Sequence, residues 1–209
     1  MPSITDIYEN NDTRRLSHRV VIAGVEELPG VQELDIQFAP AKVPTATVRI
    51  AHPAPDKAVF FTDIYIDLGL DGVTQRVFTG KIWNVRDDAG GTVLKCVGKS
   101  WPLDTDYRKV VVTLDSTTSA AAVAALLDEL GITDYKIDLT AWTIATIDPV
   151  TLKFSTYGEA IMHIAEVGGG KWWEAPTGTV MVTEWDAIPS GAPARSYFSM
   201  ELTGLVSRM

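Results

Sequence analysis

The chain has 209 residues, 46% of them hydrophobic and 22% charged, values near the globular average that argue against bulk disorder and supply enough apolar side chains for a sizeable core. A formal net charge of −9 and an isoelectric point near 4.8 disfavour nucleic-acid binding through phosphate neutralisation, which needs an excess of Lys and Arg. A single cysteine, Cys96, excludes an internal disulfide framework or thiolate cluster, and no uncharged apolar stretch approaches the roughly 20 residues of a bilayer-spanning helix.

Residues 1–15 are polar and lack both apolar periodicity and the basic-then-apolar order of a signal peptide; they read as an N-terminal arm. From about residue 18 the period is two. Leu34, Ile36 and Phe38 alternate with Glu33, Asp35 and Gln37. Ala46, Val48 and Ile50 alternate with Thr45, Thr47 and Arg49, and Ile64, Ile66 and Leu68 with Asp63, Tyr65 and Asp67. Such alternation predicts strands with one buried and one solvated face. Turn chemistry separates the runs: Leu28-Pro29-Gly30, the proline-rich His52–Asp56, the hairpin pair Asp71-Gly72, and Asp87–Gly91 between runs at 76–86 and 92–98. Strands at this spacing predict a small sandwich or barrel over residues 16–112.

The period then changes. Ser116 to Gly131 predicts a helix with Val123, Leu126, Leu127 and Leu130 on one face. Ser116, Thr117 and Thr118 offer N-cap oxygens, and Gly131 suits the left-handed C-terminal position. A second helix covers 156–168, with Thr156 and Glu159 at capping-box spacing and Ile161, Ile164, Ala165 and Gly168 on one face. Gly158 in its first turn is expected to cost roughly 1 kcal/mol relative to alanine. Lys171–Glu174, a turn at Ala175–Gly178 and Thr179–Thr183 predict a hairpin. Residues 113–185 thus form a two-helix α/β insertion. Residues 186–195 read as a linker, and the weak alternation of Phe198, Met200 and Leu202 as a strand returning to the barrel within 186–209. The fold class is mainly β with a small α/β insertion.

Chemistry is sparse. His18, His52 and His163 form no zinc-ligand spacing, and no GxSxG, GxxxxGK[ST] or GxGxxG occurs. Gly168–Gly170 follows a helix rather than opening one, so it reads as a helix stop and not a phosphate cradle. Cys96 shares a strand face with Leu94 and reads as a small buried hydrophobe. No catalytic residue, cofactor or metal is assigned. The acids, Asp63, Asp67, Asp71, Asp87, Asp88, Asp104 and Asp106 among them, read as solvated faces. Trp172 and Trp173 are adjacent on a strand, so one points in and one out; the outward ring suits a protein interface or a sugar.

The order of elements carries a resemblance. Val77-Phe78-Thr79-Gly80-Lys81-Ile82 runs into a hairpin and Leu94–Ser100. Next come Leu126-Leu127-Asp128-Glu129-Leu130-Gly131-Ile132, then Glu159-Ala160-Ile161-Met162-His163-Ile164-Ala165-Glu166-Val167-Gly168-Gly169, then a Trp-rich hairpin closing on Gly178–Val182. Over about residues 30–185 this resembles the baseplate-hub family of phage tails, which includes late-control tail proteins and the N-terminal part of type VI secretion spike proteins. Each motif is unspecific alone, and their linear order carries the likeness. Family members usually continue into a second barrel, so the resemblance implies either a short version of the family or part of a longer protein.

The resemblance implies a hub-type β-barrel in a non-enzymatic virion protein of the tail tip or baseplate, assembled in the host cytoplasm. It implies a homotrimeric ring joining the tail tube, through a distal tail protein, to a spike or fibre. DNA would pass its lumen without specific binding, helped by acidic repulsion. Ring closure calls for open strand edges or apolar patches. The strands at 59–68 and 76–86 are the candidates for such edges or patches, as is the outward one of Trp172 and Trp173, and Phe60, Phe61, Phe78, Trp83, Trp172 and Trp173 are the candidate interface residues. The competing readings are a cell-wall-degrading tail module using the scattered acids and a glycan-binding one using the tryptophans.

Overall fold

The computed structural model describes residues 16–184 except 25, 52–53, 71–72, 106–109, 115–116, 140–142, 145–149 and 168. The expected arm at 1–15, the Asp71-Gly72 turn, the linker and the strand around Phe198 lie outside the described residues.

The alternating segments form β1 (Leu16–Ile22), β2 (Glu26–Glu27), β3 (Val31–Gln37), β4 (Thr45–Ile50), β5 (Asp63–Leu70), β6 (Val73–Asp88) and β7 (Gly91–Gly98). They make one sheet in the order β2-β1-β5-β6-β7-β4-β3, with every neighbouring pair antiparallel. The sheet is curled into a half-barrel. Its inner face carries the residues the period of two selects: Val20, Ile22, Leu34, Ile36, Val48, Ile50, Ile64, Ile66, Phe78, Ile82, Leu94 and Cys96 pack into one core. The other face carries charge pairs, among them Arg76 with Asp67, Lys81 with Asp63, and Arg49 with Glu33 and Asp88.

Neither of the two candidate strands is an edge of the sheet: β5 lies between β1 and β6, and β6 between β5 and β7. Both bury one face and are paired on both sides, whereas β3 and the short β2 end the sheet. The strand expected from residue 59 also begins only at Asp63. Phe61 adopts a left-handed φ of 70°, which a strand cannot include. Two bulges shape β6. Ile66 pairs with Phe78 but Asp67 with Arg76, leaving Val77 extra, and Ile82 pairs with Cys96 but Asn84 with Lys95, leaving Trp83 extra.

A second core follows. Its elements are α1 (Pro102–Thr105), β8 (Val110–Leu114), β9 (Thr117–Thr118), α2 (Ser119–Glu129), β10 (Tyr135–Asp138), β11 (Thr143–Ile144), β12 (Val150–Phe154), α3 (Tyr157–Val167), β13 (Gly170–Glu174) and β14 (Val180–Glu184). β10, β14 and β13 form a three-stranded sheet in that order, with β10 parallel to β14. β8, whose first residues the periodicity assigned to the barrel, pairs with β12 and puts Val110 and Val112 into the second core.

Both helices start as their caps predict. Thr118 Oγ1 accepts the Ala121 N–H at 3.1 Å, and Thr156 Oγ1 accepts the Glu159 N–H at 3.1 Å. The reciprocal bond of the box goes one residue further back, from the Ser155 N–H to Glu159 Oε2 at 2.9 Å. Gly131 is left-handed at φ 70°. Val123, Leu126 and Leu127 of α2 meet Ile161, Ile164 and Ala165 of α3 in a core that also holds Trp172, Val180 and Val182.

Hydrogen bonds among the described residues bind the two cores. The Ala41 N–H donates to the Trp172 carbonyl at 2.9 Å, and Thr79 Oγ1 donates to the Pro176 carbonyl at 2.8 Å. Asp104 accepts the Val43 N–H at 3.4 Å. Buried Glu174 accepts the N–H groups of Lys99 (2.9 Å) and Ser100 (2.8 Å) and the Ser100 hydroxyl.

Candidate functional site

The two irregularities of the sheet converge. Trp83, the extra residue of its bulge, is turned away from the core. The loop before β5 crosses it: the Phe61 N–H donates to the Ile82 carbonyl at 2.7 Å, and the Ile82 N–H donates to the Thr62 carbonyl at 2.9 Å. The left-handed backbone at Phe61 then sets its ring beside Trp83. Beyond β7, the Trp101 N–H closes a turn on the Gly98 carbonyl at 3.2 Å, bringing a third element to the same place.

The result is a surface cluster of Phe60, Phe61, Trp83 and Trp101. Ring centroids lie 4.9 Å apart for Phe60–Phe61, 5.5 Å for Phe60–Trp83, 6.0 Å for Phe61–Trp83, 5.0 Å for Phe61–Trp101 and 5.9 Å for Trp83–Trp101. The Phe61–Trp101 pair is edge-on at 85°, a geometry the ring quadrupoles favour. Phe60 is 60% exposed, Val59 55% and Trp83 37%. Lys81 places its ammonium 5.6 Å from the Phe61 ring centre and 2.8 Å from Asp63 Oδ1, giving the patch a polar rim. A left-handed phenylalanine costs of order 1–3 kcal/mol. Here that strain, and an interrupted ladder, hold large apolar rings in water.

Three of the six expected interface residues therefore assemble: Phe60, Phe61 and Trp83. Phe78 and Trp172 do not belong to a surface. They are 1% and 0% exposed, Phe78 in the core of the half-barrel and Trp172 beneath α3, where its indole N–H donates to the Gly158 carbonyl at 3.1 Å. Trp173 is half-buried on the opposite face of β13, paired with Met181 and apart from the cluster. Sequence reading missed Trp101. Its position three residues beyond the end of β7 was the available signal, but only the turn after Gly98 directs it back.

Other chemistry is thin. Cys96 is buried, and burial pushes its thiol up to about 12. Among the described residues no group of three or more His, Cys, Asp or Glu is gathered to hold a metal ion, and no helix is long and apolar enough to cross a membrane. An open groove of about 600 Å³ between α1 and α3 is lined by Lys42, Asp104, Phe154, Glu159 and His163. Burial holds the Asp104 carboxyl above its ordinary range, and the neighbouring Glu159 adds to this. The His163 ring lies 5.5 Å from the Phe154 ring, tilted to it by 48°, on the exposed side of α3.

No protein-family model matches the sequence, and no curated protein matches it significantly. Solved structures do share its fold. A tail protein from Neisseria meningitidis MC58 superposes with a TM-score of 0.58 at 21% identity, over 80% of this chain and 51% of that one. The 43 kDa tail protein of prophage MuSo2 from Shewanella oneidensis gives 0.58 at 12% identity, over 81% and 53%. A component of the E. coli type VI secretion system, itself described as similar to the T4 bacteriophage tail proteins gp27 and gp5, gives 0.56 at 13% identity, over 78% and 48%. The chain spans about half the length of these structures. Its structural neighbours are thus phage tail proteins and a type VI secretion component, the group its order of elements resembles, and it carries their mainly β fold with a small α/β part.

Proposed function

We propose that this chain is a non-enzymatic structural component of a phage or phage-like tail. In this reading it is a tail-tip or baseplate hub that joins the tail tube, through a distal tail protein, to a spike or fibre. Copies form a closed ring, a homotrimer, assembled in the host cytoplasm and carried in the virion. The half-barrel sheet supplies the ring wall and the α/β part stands off it. DNA crosses the lumen without specific binding, consistent with a chain of net charge −9.

The observation that carries the proposal is the aromatic cluster, on a fold shared with tail proteins. Exposed rings held by a strained residue and a bulge form a desolvation hot spot rather than a folding core, and clustered Trp and Phe with a polar rim are the usual centre of a protein interface. The test is electron microscopy of tail tips purified from particles carrying this chain. A ring of its copies at the end of the tube is expected. Its absence from the particles, or a purified chain with hydrolytic activity on cell wall, would overturn the proposal.

A further inference from the structure

We propose that the groove between α1 and α3 docks an extended, arginine-bearing segment of a partner protein. None of its lining residues belongs to the aromatic cluster or to a strand of the seven-stranded sheet, so the proposal stands or falls apart from the ring. Three observations carry it.

The first is the shape of the groove. Its volume of about 600 Å³ falls in the size range of binding clefts. Half-buried Phe154 and Met162, with Ala41, give it an apolar floor. α3 presents Glu159, Met162, His163 and Glu166 at i, i+3, i+4 and i+7, one side of the helix. That side is exposed except at Met162. Gly158 lines the groove too. A Cβ there would lie 2.9 Å from Asp104 Oδ1, so its absence leaves that carboxylate open to the groove from the α1 side.

The second is unbalanced charge. Among the described residues that line the groove, the carboxylates of Asp104, Glu159 and Glu166 are matched by a single ammonium, that of Lys42. No ion pair among the described residues engages any of these four. Glu159 accepts the Ser155 N–H and Asp104 the Val43 N–H, which leaves acceptor oxygens on all three acids. Burial holds the Asp104 carboxyl above its ordinary range, and Glu159 adds to this against the Val43 N–H and the Lys42 charge. A cation between the two walls would relieve that repulsion. Among the described residues no three acids are gathered to hold a metal ion, so the cation has to reach carboxylates on separate walls.

The third is the fit of arginine to this lining. Its aliphatic stem covers an apolar floor while the guanidinium stays at the charged rim. Phe154 supplies a ring for the cation. The planar fork binds a carboxylate through two parallel bonds, where a lysine ammonium acts as a point charge. Glu159 and Glu166 are two helical turns apart, roughly 10 Å along α3. An extended polyproline-type segment returns to the same side every third residue, at roughly 9 Å. Arginines three positions apart on such a segment therefore reach one acid each.

Fluorescence polarisation of the full chain with a labelled peptide carrying Arg-Pro-Pro-Arg, beside its Glu-Pro-Pro-Glu counterpart, is the test. The arginine peptide is expected to bind, less tightly as salt rises, and the glutamate peptide not to bind. Glu166→Lys is expected to weaken binding roughly tenfold or more. Glu159→Gln, which keeps an oxygen for the Ser155 N–H, is expected to weaken it several-fold. Asp138→Lys makes the same charge change at an exposed residue outside the groove, and binding is expected to stay within about twofold of the parent. Thermal unfolding checks that each variant is folded. Peptides bound alike, equal weakening by Glu166→Lys and Asp138→Lys, or no binding at millimolar peptide would overturn the proposal. Self-association that Glu166→Lys abolishes and the arginine peptide fails to displace would assign the groove to a second copy and likewise overturn it. None of these outcomes bears on the ring, which the tail-tip micrographs decide.

Discussion

The carboxylate of Glu174 accepts the backbone N–H of Ser100 at 2.8 Å together with the Ser100 hydroxyl, where the end of β7 meets the β13–β14 hairpin. The Lys99 N–H at 2.9 Å completes the set. Three donors converge on one buried acid, and it ties the two cores together. Glu174→Gln keeps the shape but turns an acceptor oxygen into a donor aimed at donors. It is expected to cost about 1–3 kcal/mol in urea unfolding. A variant as stable as the parent would show that the junction is held elsewhere.

The same residue gives a pH signature. Burial holds the Glu174 carboxyl above its ordinary value of 4.5, while the hydrogen bonds from Ser100 and Lys99 and the Lys99 charge oppose the shift without cancelling it. The folded state thus binds this proton more tightly than the unfolded state does. The contribution of Glu174 to stability is most favourable below the unfolded value and declines as pH rises through the raised folded one. The stability of the parent relative to Glu174→Gln should therefore fall as pH rises above about 4.5. Unfolding curves at matched ionic strength read this directly, and an opposite slope would contradict the assigned shift.

Gly158 reverses its sequence expectation. By propensity, alanine there should stabilise α3 by roughly 1 kcal/mol. A Cβ at Gly158 would instead lie 2.9 Å from Asp104 Oδ1, 3.3 Å from the Leu103 carbonyl and 3.3 Å from the Trp172 ring. Asp104 can turn aside, but the Leu103 backbone and a fully buried indole cannot. Gly158→Ala is expected to lower the melting temperature by several degrees, on the order of 1–2 kcal/mol, as thermal unfolding by circular dichroism would show.

The aromatic cluster should separate assembly from folding. Phe60→Ala and Trp83→Ala remove rings that are already wet, so monomer stability should change by less than about 1 kcal/mol beyond the lost ring contacts. Incorporation into tails should fall far more, since truncating an interface hot spot costs about 2 kcal/mol or more. Unfolding curves beside quantitative blotting of purified particles make the comparison.

Cys96 reports global unfolding. Its side chain is buried between β4 and β6, and its thiol is pushed up to about 12. A thiol reagent at pH 8 should react only as fast as the sheet opens. Rapid labelling under native conditions would mean that β7 opens locally.

Much of the fold was legible because local chemistry carries it. The period of two along Leu34–Phe38, Ala46–Ile50 and Ile64–Leu68 reports which face of each strand is apolar. Thr118, Thr156 and Gly131 mark helix ends through bonds and dihedrals within a few residues. The burial of Cys96 beside Leu94 follows from the same alternation. The element order was enough to point to the phage-tail fold group.

The assembly surface was legible only in part. Phe60, Phe61 and Trp83 stood out as large rings near a strand, yet Phe78 and Trp172 carry the same chemistry and lie inside. Periodicity alone could not sort them, because a bulge at Trp83 and a left-handed Phe61 shift the alternation where it matters.

By itself, then, the amino-acid order determined the faces of the strands, the limits of the helices and the class of fold, since each depends on contacts within one turn or one pleat. The tertiary structure decided which strands end the sheet, which rings reach water, why a side chain at Gly158 is crowded and what holds Glu174. Those outcomes depend on pairings between residues more than a dozen positions apart, such as Trp172 with Gly158 or Trp83 with Trp101. No local period encodes such pairings, because they arise only when the chain closes on itself.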